Sequence, residues 1–175
     1  MENLGYFERI LAEYEKTFDI YKDYHIQGEK FKAYGFFNSH SEKYLLVKEV
    51  QLWETKAFEH LFLSEKDIVT IEELNKILSL IPNYIEPQLI RKGEKYPEKN
   101  HMYSFITLVI FSKNIQDSIL IEKIKKYKFE KNYLFSIRGY TQVRLLLVDT
   151  EKKTIFTNKA GKKLEKLYKH FINKN

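Results

Sequence analysis

The chain has 175 residues, 43% of them hydrophobic, no cysteine, and a formal net charge of +6. That length suits one domain with a sizeable core rather than a disordered chain, and the lack of cysteine excludes disulfides, thiolate zinc sites and cysteine nucleophiles. No apolar run approaches the ~20 residues needed to span a bilayer, and residues 1–10 lack a signal-peptide pattern, so a cytoplasmic protein with no membrane partner is expected.

Asn3 is placed to cap a first helix, where Leu4, Phe7, Leu11, Tyr14 and Phe18 form one apolar stripe ending near Thr17. The segment from there to Gly28 reads as irregular. Three strands are expected next, at 30–37, 43–53 and 57–63, paired antiparallel through short connections. In the first of them Phe31, Ala33, Gly35 and Phe37 are expected to share a face. Thr70-Ile71-Glu72-Glu73 matches a capping box. The helix behind it, with Ile71, Leu74, Ile77, Leu78 and Ile81 inward, is expected to stop at Pro82.

All three prolines (Pro82, Pro87, Pro97) fall within 82–101, which reads as a long connecting loop. Residues 103–111 are apolar on both faces and predict a central strand. Asn114 and Asp117 can start a helix with Ile115, Ile119, Leu120, Ile124 and Tyr127 inward, followed by a strand over 129–137. That order permits a parallel pair with a right-handed crossover. The strand at 142–149 sets Val143, Leu145 and Leu147 against Leu146 and Val148, and a short strand follows at 154–157. Asn158 should cap the last helix, whose stripe is Leu164, Leu167, Tyr168 and Phe171.

These elements predict a single α+β domain over 1–175. Its sheet should be mixed and largely antiparallel, with amphipathic helices packed on one face. Three strands followed by a helix occur twice, so the chain also reads as two pseudo-repeated halves, 1–82 and 102–175, joined by the 83–101 loop.

Charge divides unevenly. Residues 123–175 carry 15 Lys/Arg against Glu130, Asp149, Glu151 and Glu165, a net +11, which leaves −5 for 1–122. Such asymmetry points to a phosphate-rich or otherwise polyanionic partner, nucleic acid first. Lysine outnumbers arginine 26 to 4, as AT-rich codons would give, but codon bias does not explain the scarcity of acids at the C-terminal end. The candidate anion site is the start of the last helix, Asn158, Lys159, Gly161, Lys162 and Lys163, with Gly161 allowing close approach of a phosphate. Arg138 and Arg144 join it, two of only four arginines. A solvated lysine face, and pairing of Arg144 with Glu49 or Asp149, are the bland alternatives.

Other chemistry is poorly supported. E-x-K at Glu54/Lys56 and Glu151/Lys153 evokes a metal-dependent nuclease, but both fall in predicted turns, and so Glu- and Lys-rich a chain yields such pairs by chance. The five histidines show no ligand spacing, and no nucleotide-binding or nucleophile-elbow motif occurs, so no metal, cofactor or catalytic residue is assigned. Tyr34/Phe36 and Tyr133/Phe135 have a spacing that suits base stacking, but without an RNP1-type pattern they read as core.

Gly139 with Arg144-Leu145-Leu146-Leu147-Val148-Asp149, then Thr157-Asn158-Lys159-Ala160-Gly161-Lys162, and His101-Met102-Tyr103 at a strand start, resemble an uncharacterised family of small proteins from Gram-positive, AT-rich bacteria. The resemblance implies no activity and carries over no catalytic residue. The expected function is a non-catalytic module binding nucleic acid on its basic C-terminal face. Two alternatives stay open: a small-molecule or enzymatic site between the halves under the 82–101 loop, and a protein-interaction module.

Overall fold

A computed structural model describes residues 5–40 and 55–173. Helix α1 (Tyr6–Tyr14) leads into β1 (Asp19–Ile26), β2 (Glu29–Asn38) and β3 (Lys56–Glu65). Helix α2 (Ile71–Leu80) runs into a π-helical segment (Ile81–Ile90), followed by β4 (His101–Ser112) and α3 (Ser118–Lys126). Then come β5 (Glu130–Asn132), β6 (Tyr140–Asp149), β7 (Thr154–Thr157), a 3₁₀ turn (Gly161–Leu164) and α4 (Glu165–Asn173). The expected cap Asn3 and the expected strand at 43–53 lie outside the described residues.

Among the described residues seven strands form one sheet in the order β1-β2-β3-β4-β6-β5, with β7 also on β6. The β3–β4 and β4–β6 pairs are parallel and the other four antiparallel. The fold is α+β with a mixed, largely antiparallel sheet. Its helices cover both faces rather than one. Each parallel pair needs a crossover, and the two crossovers set α2 and α3 on one side, over Ile106, Leu108, Ile110, Val143, Leu145 and Leu147. Helices α1 and α4 bury Ile10, Leu11, Tyr168 and Phe171 on the other, against Leu61, Leu63, Val109, Leu146 and Val148.

The central strand is β4, apolar on both faces because both are covered. The capping box forms as expected: Glu73 N–H donates to Thr70 Oγ1 at 3.2 Å, and Thr70 N–H to Glu73 Oε2 at 2.9 Å. Pro82 does not end the helix. It sits in the first turn of the π-helical segment, where a missing N–H is tolerated, and the wider i→i+5 winding closes with Arg91 N–H on the Glu86 carbonyl at 3.1 Å. Much of the expected 82–101 loop is therefore helical.

β1 occupies the stretch expected to be irregular. Among the described residues it pairs with β2 alone; it is mostly exposed and carries Asp19, Lys22 and Asp23, so it lacks an apolar alternation. Asp23, opposite Lys32, has φ 52°, and the side-chain phase reverses there: Phe31 joins the α2/α3 side, while Ala33 packs on the α1/α4 side. In α3, Asp117 caps the N–H groups of Ile119 and Leu120; Ile115, Leu120 and Ile124 are buried, but Ile119 is exposed. In the sheet β2 lies between β1 and β3, whereas β5 and β7 share one edge of β6.

Candidate functional site

β5 faces 140–142 and β7 faces 146–149, so between them the outer edge of β6 has no strand partner among the described residues. Asn158 fills that gap. Its Nδ2 donates to the carbonyls of Val143 (3.0 Å) and Tyr127 (3.2 Å), and its Oδ1 accepts from the N–H groups of Leu145 (2.9 Å) and Gly161 (2.8 Å). Its own N–H donates to the Leu145 carbonyl at 3.1 Å. The residue is 2% exposed, so its amide serves the sheet rather than a ligand. Gly161 has a matching role: a Cβ there would stand 2.8 Å from the Leu145 carbonyl oxygen. The close approach that it permits is to β6, not to a phosphate.

Around this junction opens a cleft of about 570 Å³, within the range of small-ligand sites. Lys125, Lys126, Tyr127, Lys128 and Phe129 wall it on one side, where α3 hands over to β5. Phe105, Tyr140, Gln142 and Arg144 come from the sheet, and Lys159 and Lys163 from the segment after β7. Six cations thus line it against one acid, Glu130, among the described residues. Lys126 is paired with Glu122 at 3.0 Å; Lys125, Lys128, Lys159 and Lys163 have no carboxylate within 4.0 Å among the described residues.

Arg144 lies at the cleft wall with its side chain 14% exposed. Its guanidinium carbon stands 3.4 Å from the Phe105 ring centroid, a stacked cation–π arrangement. The partner carboxylate is Glu59, at 3.6 Å from Nη1, rather than Asp149, whose oxygens accept the N–H groups of Ile115, Glu151 and Lys152. Glu59 also accepts a hydrogen bond from Thr107 Oγ1 at 2.5 Å. Burial pushes its carboxyl above the usual range, and Arg144 and Thr107 oppose that only in part. Among the described residues the Arg144 guanidinium donates no hydrogen bond, so its fork is available to an anion.

The structure brings Arg144, Lys159 and Lys163 together in this cleft and leaves two expected residues elsewhere. Lys162 is 72% exposed and pairs with Glu165 at 2.6 Å. Arg138 donates to the Pro97 carbonyl at 3.2 Å and lines a different depression, with Lys99, His101 and Met102. Lys125, Lys128, Phe105 and Tyr140 were missed by sequence reasoning. The signal for the first two was the run Lys125-Lys126-Tyr127-Lys128-Phe129 across the C-terminal end of a helix. Nothing in the sequence shows that 105 and 140 face each other; they meet through the parallel β4–β6 pair.

None of residues 82–101 lines the cleft. That segment instead anchors Glu86, 2% exposed, which accepts from Arg91 Nε (2.7 Å), Lys131 Nζ (3.0 Å) and Tyr133 OH (2.8 Å). Burial raises its carboxyl, and these donors more than offset that and hold it below the usual range. Among the described residues no group of three or more His, Asp or Glu is placed to hold a metal ion, and no helix is long and apolar enough to cross a membrane.

No curated protein and no solved structure matches the chain. Residues 2–170 match the model of a family described as Domain of unknown function (DUF8052). The residues that carried the sequence resemblance meet in pairs in this fold. Gly139 lies against the Met102 carbonyl, and Asn158 and Gly161 clasp Leu145. With nearly its whole length matched, the chain belongs to the DUF8052 family.

Proposed function

We propose that the protein is a non-catalytic module that binds the phosphates of a nucleic acid in the cleft between α3, β6 and the segment after β7. The observation that carries this reading is Arg144. A mostly buried guanidinium, stacked on Phe105 and held by one long ion pair, keeps its planar fork of donors for a bidentate anion. Lys125, Lys128, Lys159 and Lys163 around it supply the longer-range attraction that a phosphate backbone needs.

The test is binding of a short fluorescent oligonucleotide to wild type and to Arg144→Gln, followed by anisotropy. The reading expects a loss of about tenfold in affinity. Equal affinity for both proteins would remove Arg144 from the site and the reading with it.

A second reading, a single phosphorylated small molecule, is favoured by the cleft volume of about 570 Å³. A mononucleotide that displaces the oligonucleotide at micromolar concentration would favour it over the polymer.

A further inference from the structure

The hairpin that walls the cleft ends in an unusual turn. Glu130 of β5 and Tyr140 and Gln142 of β6 face the cleft; the residues joining these strands, 133–139, fold back on themselves. Leu134, Phe135 and Ser136 all have positive φ (49°, 53° and 67°), a left-handed run that L-residues with side chains disfavour. The turn is locked by the Arg138 N–H on the Tyr133 carbonyl (3.1 Å) and the Tyr133 N–H on the Gly139 carbonyl (3.0 Å). Its product is display: Phe135 is 96% exposed and Ile137 74%. An apolar tip on a disfavoured backbone contributes nothing to the core, and Phe135 is not the core residue that its strand-like spacing suggested.

We infer that Phe135 is a stacking residue for an unpaired base of single-stranded nucleic acid whose phosphates lie in the adjoining cleft. The inference rests on the phosphate-binding reading of the cleft. Continuity supports it, because one hairpin supplies both the cleft wall and the tip, and so does charge complementarity. A few projecting residues make too small an area for a stable protein interface, which needs about 800 Å² on each partner. A single ring, by contrast, is enough to stack a base, and stacking accepts any sequence. Single strands are preferred because their bases are unstacked and within reach, whereas a duplex would have to be opened.

The experiment compares wild type, Phe135→Ala and Lys159→Ala/Lys163→Ala for binding to a single-stranded oligonucleotide, to the same sequence as a duplex, and to vesicles of anionic phospholipid. Because Phe135 makes no core contact, its replacement leaves the fold intact. Phe135→Ala should lose about tenfold in single-strand affinity with an unchanged salt slope, and its duplex affinity should change less than twofold. The double lysine variant should instead reduce the salt slope. Weaker binding by the lysine variant with no effect of Phe135→Ala would overturn this inference and leave the cleft reading standing. Absence of oligonucleotide binding by wild type would overturn both. Loss of vesicle binding alone in Phe135→Ala would make the tip a membrane element and overturn the inference.

Discussion

The guanidinium carbon of Arg144 sits 3.4 Å from the centre of the Phe105 ring, while its partner carboxylate among the described residues, Glu59, stands 3.6 Å from Nη1. Stacking, more than ion pairing, therefore fixes where this arginine points. Glu59 nevertheless depends on it, since burial already lifts that carboxyl above its usual range. Replacing Arg144 with glutamine should cost about 2 kcal/mol at pH 7, because a mostly buried carboxylate loses its counter-charge. A group whose folded-state value is raised contributes stability that is complete below the usual carboxylate range and is lost as pH rises through the folded value. The Arg144→Gln deficit should accordingly shrink toward pH 5, and Glu59→Gln/Arg144→Gln should recover part of it at pH 7. Chemical denaturation at the two pH values checks both outcomes.

Asn158 should behave as a structural residue. Asn158→Ala removes partners from the Leu145 and Gly161 N–H groups and from the Val143 and Tyr127 carbonyls, all at the sheet edge. The expected loss is about 3 kcal/mol, set by unsatisfied buried groups rather than by lost contacts. Asn158→Asp should be harmed as well, since a carboxylate cannot donate to the two carbonyls. Urea midpoints of the two variants are the measurement.

Gly161 offers a case where two effects have opposite signs. Helix propensity alone makes Gly161→Ala stabilising by about 1 kcal/mol. The new Cβ, however, would meet the Leu145 carbonyl oxygen at 2.8 Å and Asn158 Oδ1 at 3.0 Å, and neither can move without breaking the Asn158 clasp. The close contacts should win, leaving a net loss of about 1–2 kcal/mol. Gly139→Ala should be worse, since φ there is +71° and the Cβ would stand 2.2 Å from the Met102 carbonyl oxygen. Thermal unfolding of both variants tests the ranking.

His60 is buried with Nδ1 at 2.8 Å from the Tyr34 hydroxyl, and burial, with Lys92 adding to it, pushes the ring down to about 3. An unfolded histidine takes its proton near pH 6.5, so between there and about pH 3 the unfolded state binds more protons. From this residue alone stability falls by about 1.4 kcal/mol per pH unit on acidification. His101, also lowered, acts in the same sense, while Glu59 opposes it. The difference between wild type and His60→Gln over pH 5–6.5 isolates the single proton; parallel stability curves would contradict the placement.

What was legible in the sequence follows from which forces are local. The capping box at Thr70, the two-faced apolar run of β4 and the alternation in β6 each put their signal in adjacent residues. β1 was hidden because a mostly exposed strand needs no apolar face. The π-helical segment was hidden because proline normally ends a helix, whereas here Pro82 and Pro87 both lie within the winding. In the cleft, Arg144, Lys159 and Lys163 were visible as charge against background, whereas Phe105 and Tyr140 needed the β4–β6 register. Asn158 and Gly161 drew notice for the right positions and a different reason: both are specialised for β6.

The central claim is that the cleft lysines meet phosphates, and the salt dependence of single-stranded oligonucleotide binding tests it most directly. Arg144 and four lysines engaging phosphates, Lys125, Lys128, Lys159 and Lys163, predict a log–log slope of about −3.5, since each contact on a single strand contributes about −0.7. Lys159→Ala/Lys163→Ala should bring the slope to about −2. A flat salt response in wild type, or the same slope in both proteins, would contradict the account.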